Sequence, residues 1–154
     1  MKRTLLLIFT LASIMLLAAS CRRYVDVPVT PPLTGNWFLQ SAERYDGYKW
    51  QTINTGYESG TFYFKANGDV LYRDAIGDLR GSWSMYPVTD GYYDGYGHYK
   101  EGYHVVFSLR MYEPYNSTPA TDWFFEDNDY NGGAGFRAVY TSGSYTYQYN
   151  FARE

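Results

Sequence analysis

The chain has 154 residues, a formal net charge of −3, 19 Tyr, 9 Phe, 4 Trp, 15 Gly and a single Cys. An acidic balance argues against nucleic acid as a partner, because phosphate binding needs a basic surface. One cysteine excludes a disulfide framework, so a core of aromatic and aliphatic side chains must hold the fold.

In chain order, the first element is a leader. Lys2 and Arg3 form a positive start, Thr4 to Leu17 an apolar run, and Ala18-Ala19-Ser20-Cys21 a small-residue close. This is the layout of a bacterial secretory signal over residues 1–20. The run is too short for a comfortable membrane span, and Arg22 and Arg23 follow directly. Small residues followed by Cys21 resemble the lipobox of bacterial lipoproteins, although Ala18 stands where that motif usually carries Leu. The resemblance implies that Cys21 is acylated and becomes the first residue of the mature chain. An ordinary signal peptide or a short uncleaved anchor are the alternatives. Arg22 to Pro32 then reads as a tether, stiffened by Pro28, Pro31 and Pro32.

The domain proper is expected over residues 33–154. Its first strand starts at Leu33, and Gly35 to Leu39 alternates with Trp37 and Leu39 on one face. Tyr45 to Ser59 is polar and has no clear assignment, with Trp50 and Ile53 as apolar anchors. Thr61 to Phe64 and Val70 to Tyr72 form a hairpin around Asn67-Gly68, a pair that suits a tight turn with positive φ. Gly81 to Met85 places Trp83 and Met85 together. Tyr86 to Gly102 reads as a Gly/Tyr-rich insertion. Val105, Phe107, Leu109 and Met111 then share a strand face. Glu113 to Thr121 is a loop, Trp123 to Phe125 a strand, Asp127 to Gly135 a turn and Phe136 to Tyr140 its return strand. In the last strand Tyr145, Tyr147, Tyr149 and Phe151 alternate with Thr146, Gln148 and Asn150.

No sustained helical period interrupts this pattern, so the class is all-β. About eight antiparallel strands in sequence order must hide their edges, and an up-and-down barrel does so. A β-sandwich competes, and periodicity alone does not separate the two.

Gly35-Asn36-Trp37 on the first strand and Phe151-Ala152-Arg153 on the last resemble the lipocalin family and its bacterial lipocalin-like lipoprotein relatives. The Phe62-x-Phe64 strand, the Asn67-Gly68-Asp69 turn and the following Gly81-Ser82-Trp83 resemble the same group. The resemblance implies a barrel whose floor is closed by Trp37, with Arg153 packed across the indole. A guanidinium over an indole face contributes about 0.5–2 kcal/mol. The chain departs from typical lipocalins in lacking their disulfide and in carrying the Tyr/Gly insertion.

Two groups of residues are candidates for recognition. Phe62, Phe64, Trp83, Phe107, Tyr147 and Tyr149 are suited to line a ligand cavity, or equally to fill a small barrel. Tyr92, Tyr93, Tyr96 and Tyr99 stand in the insertion, where tyrosines among glycines supply amphipathic contact area for a sugar or a flat ligand. A connection whose tyrosines merely lie on the barrel wall is the alternative. Asp127-x-Asp129-x-Asn131-Gly132 matches the first half of a calcium loop, but position twelve is Ala138 rather than Glu, which favours a plain acidic turn. His98 and His104, the only histidines, lack zinc-ligand spacing, and no nucleophile elbow is present. No metal, cofactor or catalytic residue is expected. The expectation is a lipid-anchored binding protein of the outer membrane, facing the periplasm, that takes a small apolar or amphipathic ligand. A glycan- or protein-interaction module using the 86–103 segment is the rival.

Overall fold

The computed structural model describes residues 33–130 and 133–154. The leader, Cys21, the tether and Asn131-Gly132 of the acidic motif lie outside the described residues. Ten strands and no helix are found among the described residues. They are β1 (Gly35–Tyr45), β2 (Trp50–Ile53), β3 (Thr61–Phe64), β4 (Asp69–Arg73) and β5 (Asp78–Tyr93). Then follow β6 (Tyr99–Tyr112), β7 (Pro119–Phe125), β8 (Asp127–Tyr130), β9 (Gly135–Ser142) and β10 (Tyr145–Arg153).

All pair antiparallel in one sheet, in the order β7-β6-β5-β4-β3-β1-β10-β9-β8, with β2 attached to β1 beside this path. The all-β class is therefore observed, with ten strands rather than about eight. Hairpins explain most of the order. At Asn67-Gly68, Gly68 takes φ 87° and Lys65 N–H bonds the Asp69 carbonyl at 2.9 Å. The longest-range pairing is β1 with β10, in the register Trp37 to Arg153 and Leu39 to Phe151.

The expected closure into a barrel by pairing of its edge strands is not observed. The sheet ends at β7 and β8, and among the described residues no ladder pairs these two with each other. The reason is a corner at Glu126. Before it, Phe125 pairs with Phe107 of β6; after it, Asp127 pairs with Val139 of β9. One run of chain thus serves both ends of the sheet in turn. The Asp127 to Gly135 segment, expected to be a turn, contains strand β8. Its acidic sequence carries no strand signal, and pairing with β9 is what extends it.

The sheet curls until distant strands touch. Phe107 on β6 meets Phe136 on β9 at 5.5 Å and Phe151 on β10 at 6.4 Å between ring centroids. Trp123 on β7 meets Tyr149 on β10 at 5.0 Å. A single core results, built from Trp37, Phe62, Phe64, Tyr72, Trp83, Phe107 and their neighbours. Ring pairs of this kind contribute about 0.5–1.5 kcal/mol beyond area burial.

The Tyr86 to Gly102 segment is also not a loop. β5 has 16 residues and β6 has 14, and their register runs unbroken from Arg80–Tyr112 to Tyr93–Tyr99. β4 leaves β5 at Ser82 and β7 leaves β6 at Phe107. What remains is a two-stranded arm, roughly residues 86–106. Tyrosine favours extended backbone, so the arm forms despite its glycines. A lone ribbon is marginal in water, and this one is held by folding back onto the sheet. A Cβ on Gly95 would lie 3.8 Å from Val139, and one on Gly97 would lie 3.2 Å from the Thr146 hydroxyl. Val139 and Thr146 are buried beneath this tip, on the face opposite the core.

Candidate functional site

The tip of the arm is built around Asp94. Its main-chain N–H donates to the His98 carbonyl at 3.0 Å, and Gly97, at φ 75°, donates to the Asp94 carbonyl at 2.8 Å. The Asp94 carboxylate accepts the N–H groups of Tyr96 and His98 at 2.9 and 3.0 Å and the Lys100 ammonium at 2.9 Å. Burial pushes its pKa up. The Lys100 ammonium and the two amides outweigh that and hold the carboxyl down at about 2. The sign follows from linkage: a carboxylate depressed from 3.8 stabilises the tip fully above that value and ceases to do so as pH falls through about 2. Amide resonances of Tyr96 and His98 are therefore expected to titrate near pH 2 rather than near 3.8, and Asp94→Asn is expected to abolish that step. A midpoint near 3.8 would mean that the Lys100 contact is not formed in solution.

Along the arm, Tyr86, Tyr93, Tyr96, Tyr99 and Tyr103 are exposed, between 42 and 66%. Tyr92 differs from its neighbours. It stacks on His104 at 4.2 Å, and the buried imidazole has Nε2 3.5 Å from the Asp90 carboxylate. Three of the four tyrosines singled out from the sequence thus face solvent, and Tyr92 is engaged in holding the arm.

The tip and the sheet enclose an outer cleft of about 480 Å³. Tyr93 and Tyr96 come from the arm, Tyr45 from β1, Glu126 from the corner, and Thr141 and Thr146 from β9 and β10. Tyr45 is fixed by its hydroxyl, which donates to the Gly47 carbonyl at 2.9 Å, and by Trp50 at 5.2 Å. The Thr141 hydroxyl is buried without a hydrogen-bond partner among the described residues. Of these residues only Tyr93 and Tyr96 are recognition candidates on sequence grounds. Nothing local marks the others, because long-range folding of the arm brings them together.

The six interior candidates lie elsewhere. Phe62, Phe64, Trp83, Phe107 and Tyr149 are at most 5% exposed, and Tyr147 is half-buried against the same core. They pack on one another and on their neighbours: Phe62 on Phe64 at 6.0 Å, Phe64 on Phe107 at 5.9 Å, Tyr140 on Tyr147 at 4.7 Å. Burial drives the Tyr149 hydroxyl pKa far above its usual range, so it stays protonated.

Trp37 is fully buried, and the Arg153 guanidinium lies 5.2 Å from its ring centroid. The indole N–H donates to the Leu33 carbonyl at 2.7 Å, and Arg153 Nη2 donates to the Thr34 carbonyl at 2.6 Å. In the acidic motif, Asp129 faces Arg137 at 3.9 Å and Asp127 pairs in β8 with β9.

A second cleft, of about 520 Å³, lies between the segment before β3 and the β4–β5 turn. Its Tyr72 hydroxyl donates to Asp74 at 3.1 Å, and burial with that carboxylate raises the Tyr72 pKa to about 12. Tyr57 lines the same cleft and bonds the Thr121 hydroxyl; it stands in the polar stretch that has no assignment from sequence, and no local signal marks it.

Comparison with protein-family models, with curated proteins and with solved structures gives no match for this chain.

Proposed function

We propose that the protein is a lipid-anchored extracytoplasmic binding module. A lipocalin-like curled sheet forms its rigid frame, and the tyrosine arm captures a small amphipathic ligand on the outer surface. One observation carries this reading. The arm folds back over β9 and β10 and leaves a tyrosine-lined cleft of about 480 Å³, within the size range of small-molecule sites. The interior aromatics favour the filled alternative over a cavity, since they are buried against one another. The lipocalin-like frame is supported by the meander order, by the β1–β10 pairing and by Arg153 over Trp37. The anchor rests on the leader ending at Cys21, and an outer-membrane, periplasm-facing position on the absence of acidic residues directly after it.

A glycan- or protein-interaction module is the second reading. The exposed Tyr86, Tyr99 and Tyr103, which line the arm away from the cleft, favour it.

Native mass spectrometry of the chain extracted from its own host's membranes tests both. The expected species begins at an acylated Cys21 and carries a non-covalent small molecule that is lost when Tyr93 and Tyr96 are both replaced by Ala. An unmodified Cys21 would remove the anchor. An adduct that survives the double replacement would remove the arm as its site.

A further inference from the structure

The corner between β7 and β8 carries a carboxyl side chain, Glu126, with no ion-pair partner among the described residues. Glu126 is half-buried. Its main-chain N–H is used, donating to the Val139 carbonyl at 2.9 Å. Its carboxylate makes no ion pair among the described residues, whereas nearby Asp129 lies against Arg137 and Asp94 against Lys100. The cleft that Glu126 lines contains Tyr45, Tyr93 and Tyr96 and no Lys, Arg or His. Thr141, whose buried hydroxyl has no hydrogen-bond partner among the described residues, lines the same space.

We propose that this cleft binds a small organic cation, an alkylated ammonium group, with Glu126 as its counter-ion and the tyrosine rings as its walls. The inference rests on the arm being the binding element and adds the class of ligand. Three arguments lead to it. A neutral apolar ligand would strip water from an uncompensated carboxylate, which is unfavourable, whereas a cation neutralises it. Tyrosine faces attract a cation through their quadrupole and attract the alkyl groups around it by dispersion. An inorganic divalent ion would need several oxygen ligands, and among the described residues no group of three His, Cys, Asp or Glu side chains is assembled to hold one. The cleft volume of about 480 Å³ exceeds a trimethylammonium head and leaves room for an attached chain near Thr141 and Thr146.

The test uses the full-length protein and two probes of the same shape: choline and its neutral isostere, with carbon in place of the quaternary nitrogen. Amide resonances of Tyr93, Tyr96 and Thr141 are followed during titration. Choline is expected to shift all three saturably, and the isostere is not. Glu126→Gln, which keeps size and hydrogen-bonding reach, is expected to weaken choline binding about tenfold while the remaining amide pattern stays in place. Raising the salt concentration is expected to weaken it as well, because the cleft is open to solvent. Equal shifts by choline and isostere would overturn the proposal, as would unchanged choline affinity in Glu126→Gln. A neutral methyl glycoside serves as a third probe. Shifts by the glycoside and not by choline would overturn the cation while keeping the arm as the binding element. Silence to all three probes would overturn both.

Discussion

Replacing Trp37 by Ala is expected to lower stability by about 3–5 kcal/mol. The indole is fully buried and touches Phe136 edge-on at 5.1 Å and Tyr130 at 6.4 Å. Its removal leaves a void in a core of large, interlocked rings that cannot collapse to fill it. Two polar losses add to that. The Leu33 carbonyl loses the indole N–H at 2.7 Å, and the Arg153 guanidinium loses the ring beneath it at 5.2 Å. A small domain is stable by about 5–15 kcal/mol in total, so the variant approaches the limit of folding. Urea denaturation reads the change directly. Trp37→Phe is expected to recover most of the packing and to lack only the hydrogen bond, about 1 kcal/mol. A midpoint that does not move in Trp37→Ala would show that this residue does not anchor the β1–β10 seam.

Gly81→Ala is expected to be destabilising by about 3 kcal/mol or more, at the upper end of what overpacking produces. Gly81 sits in the middle of the β4–β5–β6 ladder, between Val70 and Met111. A Cβ there would lie 1.8 Å from the Arg110 carbonyl oxygen and 2.9 Å from Met111 Cα. Both are main-chain atoms, so no side chain can rotate aside, and β5 and β6 must part. The origin is steric, since Gly81 is not among the glycines with positive φ. Gly77 makes the contrast. A methyl group there would meet no atom within 4 Å, and its φ is not positive, so Gly77→Ala is expected to be neutral or stabilising, by up to about 1 kcal/mol. Thermal unfolding should therefore show a lowered midpoint for Gly81→Ala and an unchanged or raised one for Gly77→Ala. Similar midpoints would mean that the close approach of β5 and β6 relaxes without penalty.

Much of the sheet is legible in the chain because its determinants are local. Asn67-Gly68 encodes its own turn, and the alternation of Phe107, Leu109 and Met111 places each of them in the core. What is not legible depends on contacts far along the chain. At Phe107 the buried face of β6 changes parity: Val106 and His104 are buried on the side away from the core. Their neighbours on β6 do not foretell this. Asn128, which donates to the Val105 carbonyl at 2.6 Å, and the returning arm create it. β8 escapes the sequence pattern for a similar reason. Asp-Asn-Asp-Tyr is poor strand material, and it is extended only because β9 offers a partner edge. The outer cleft shares this origin. Tyr45, Glu126 and Thr141 are ordinary in sequence and become a site only when the arm lies across them.

The seam between β1 and β10 also governs how the molecule is made. Arg153 reaches the Thr34 carbonyl across 119 residues of chain. Strands β3 to β7 can zip in order as successive hairpins, each closing a short loop. β1, with β3 on one side along its first half, must wait for the distant β10 before its other edge is covered. Closing so long a loop carries an entropic penalty that local hairpins do not. The pairing of β1 with β10 is thus expected to be the slow event in folding. Until it occurs, Trp37 and the open edge of β1 are exposed together, and an unfinished chain offers its neighbours a ready strand to pair with.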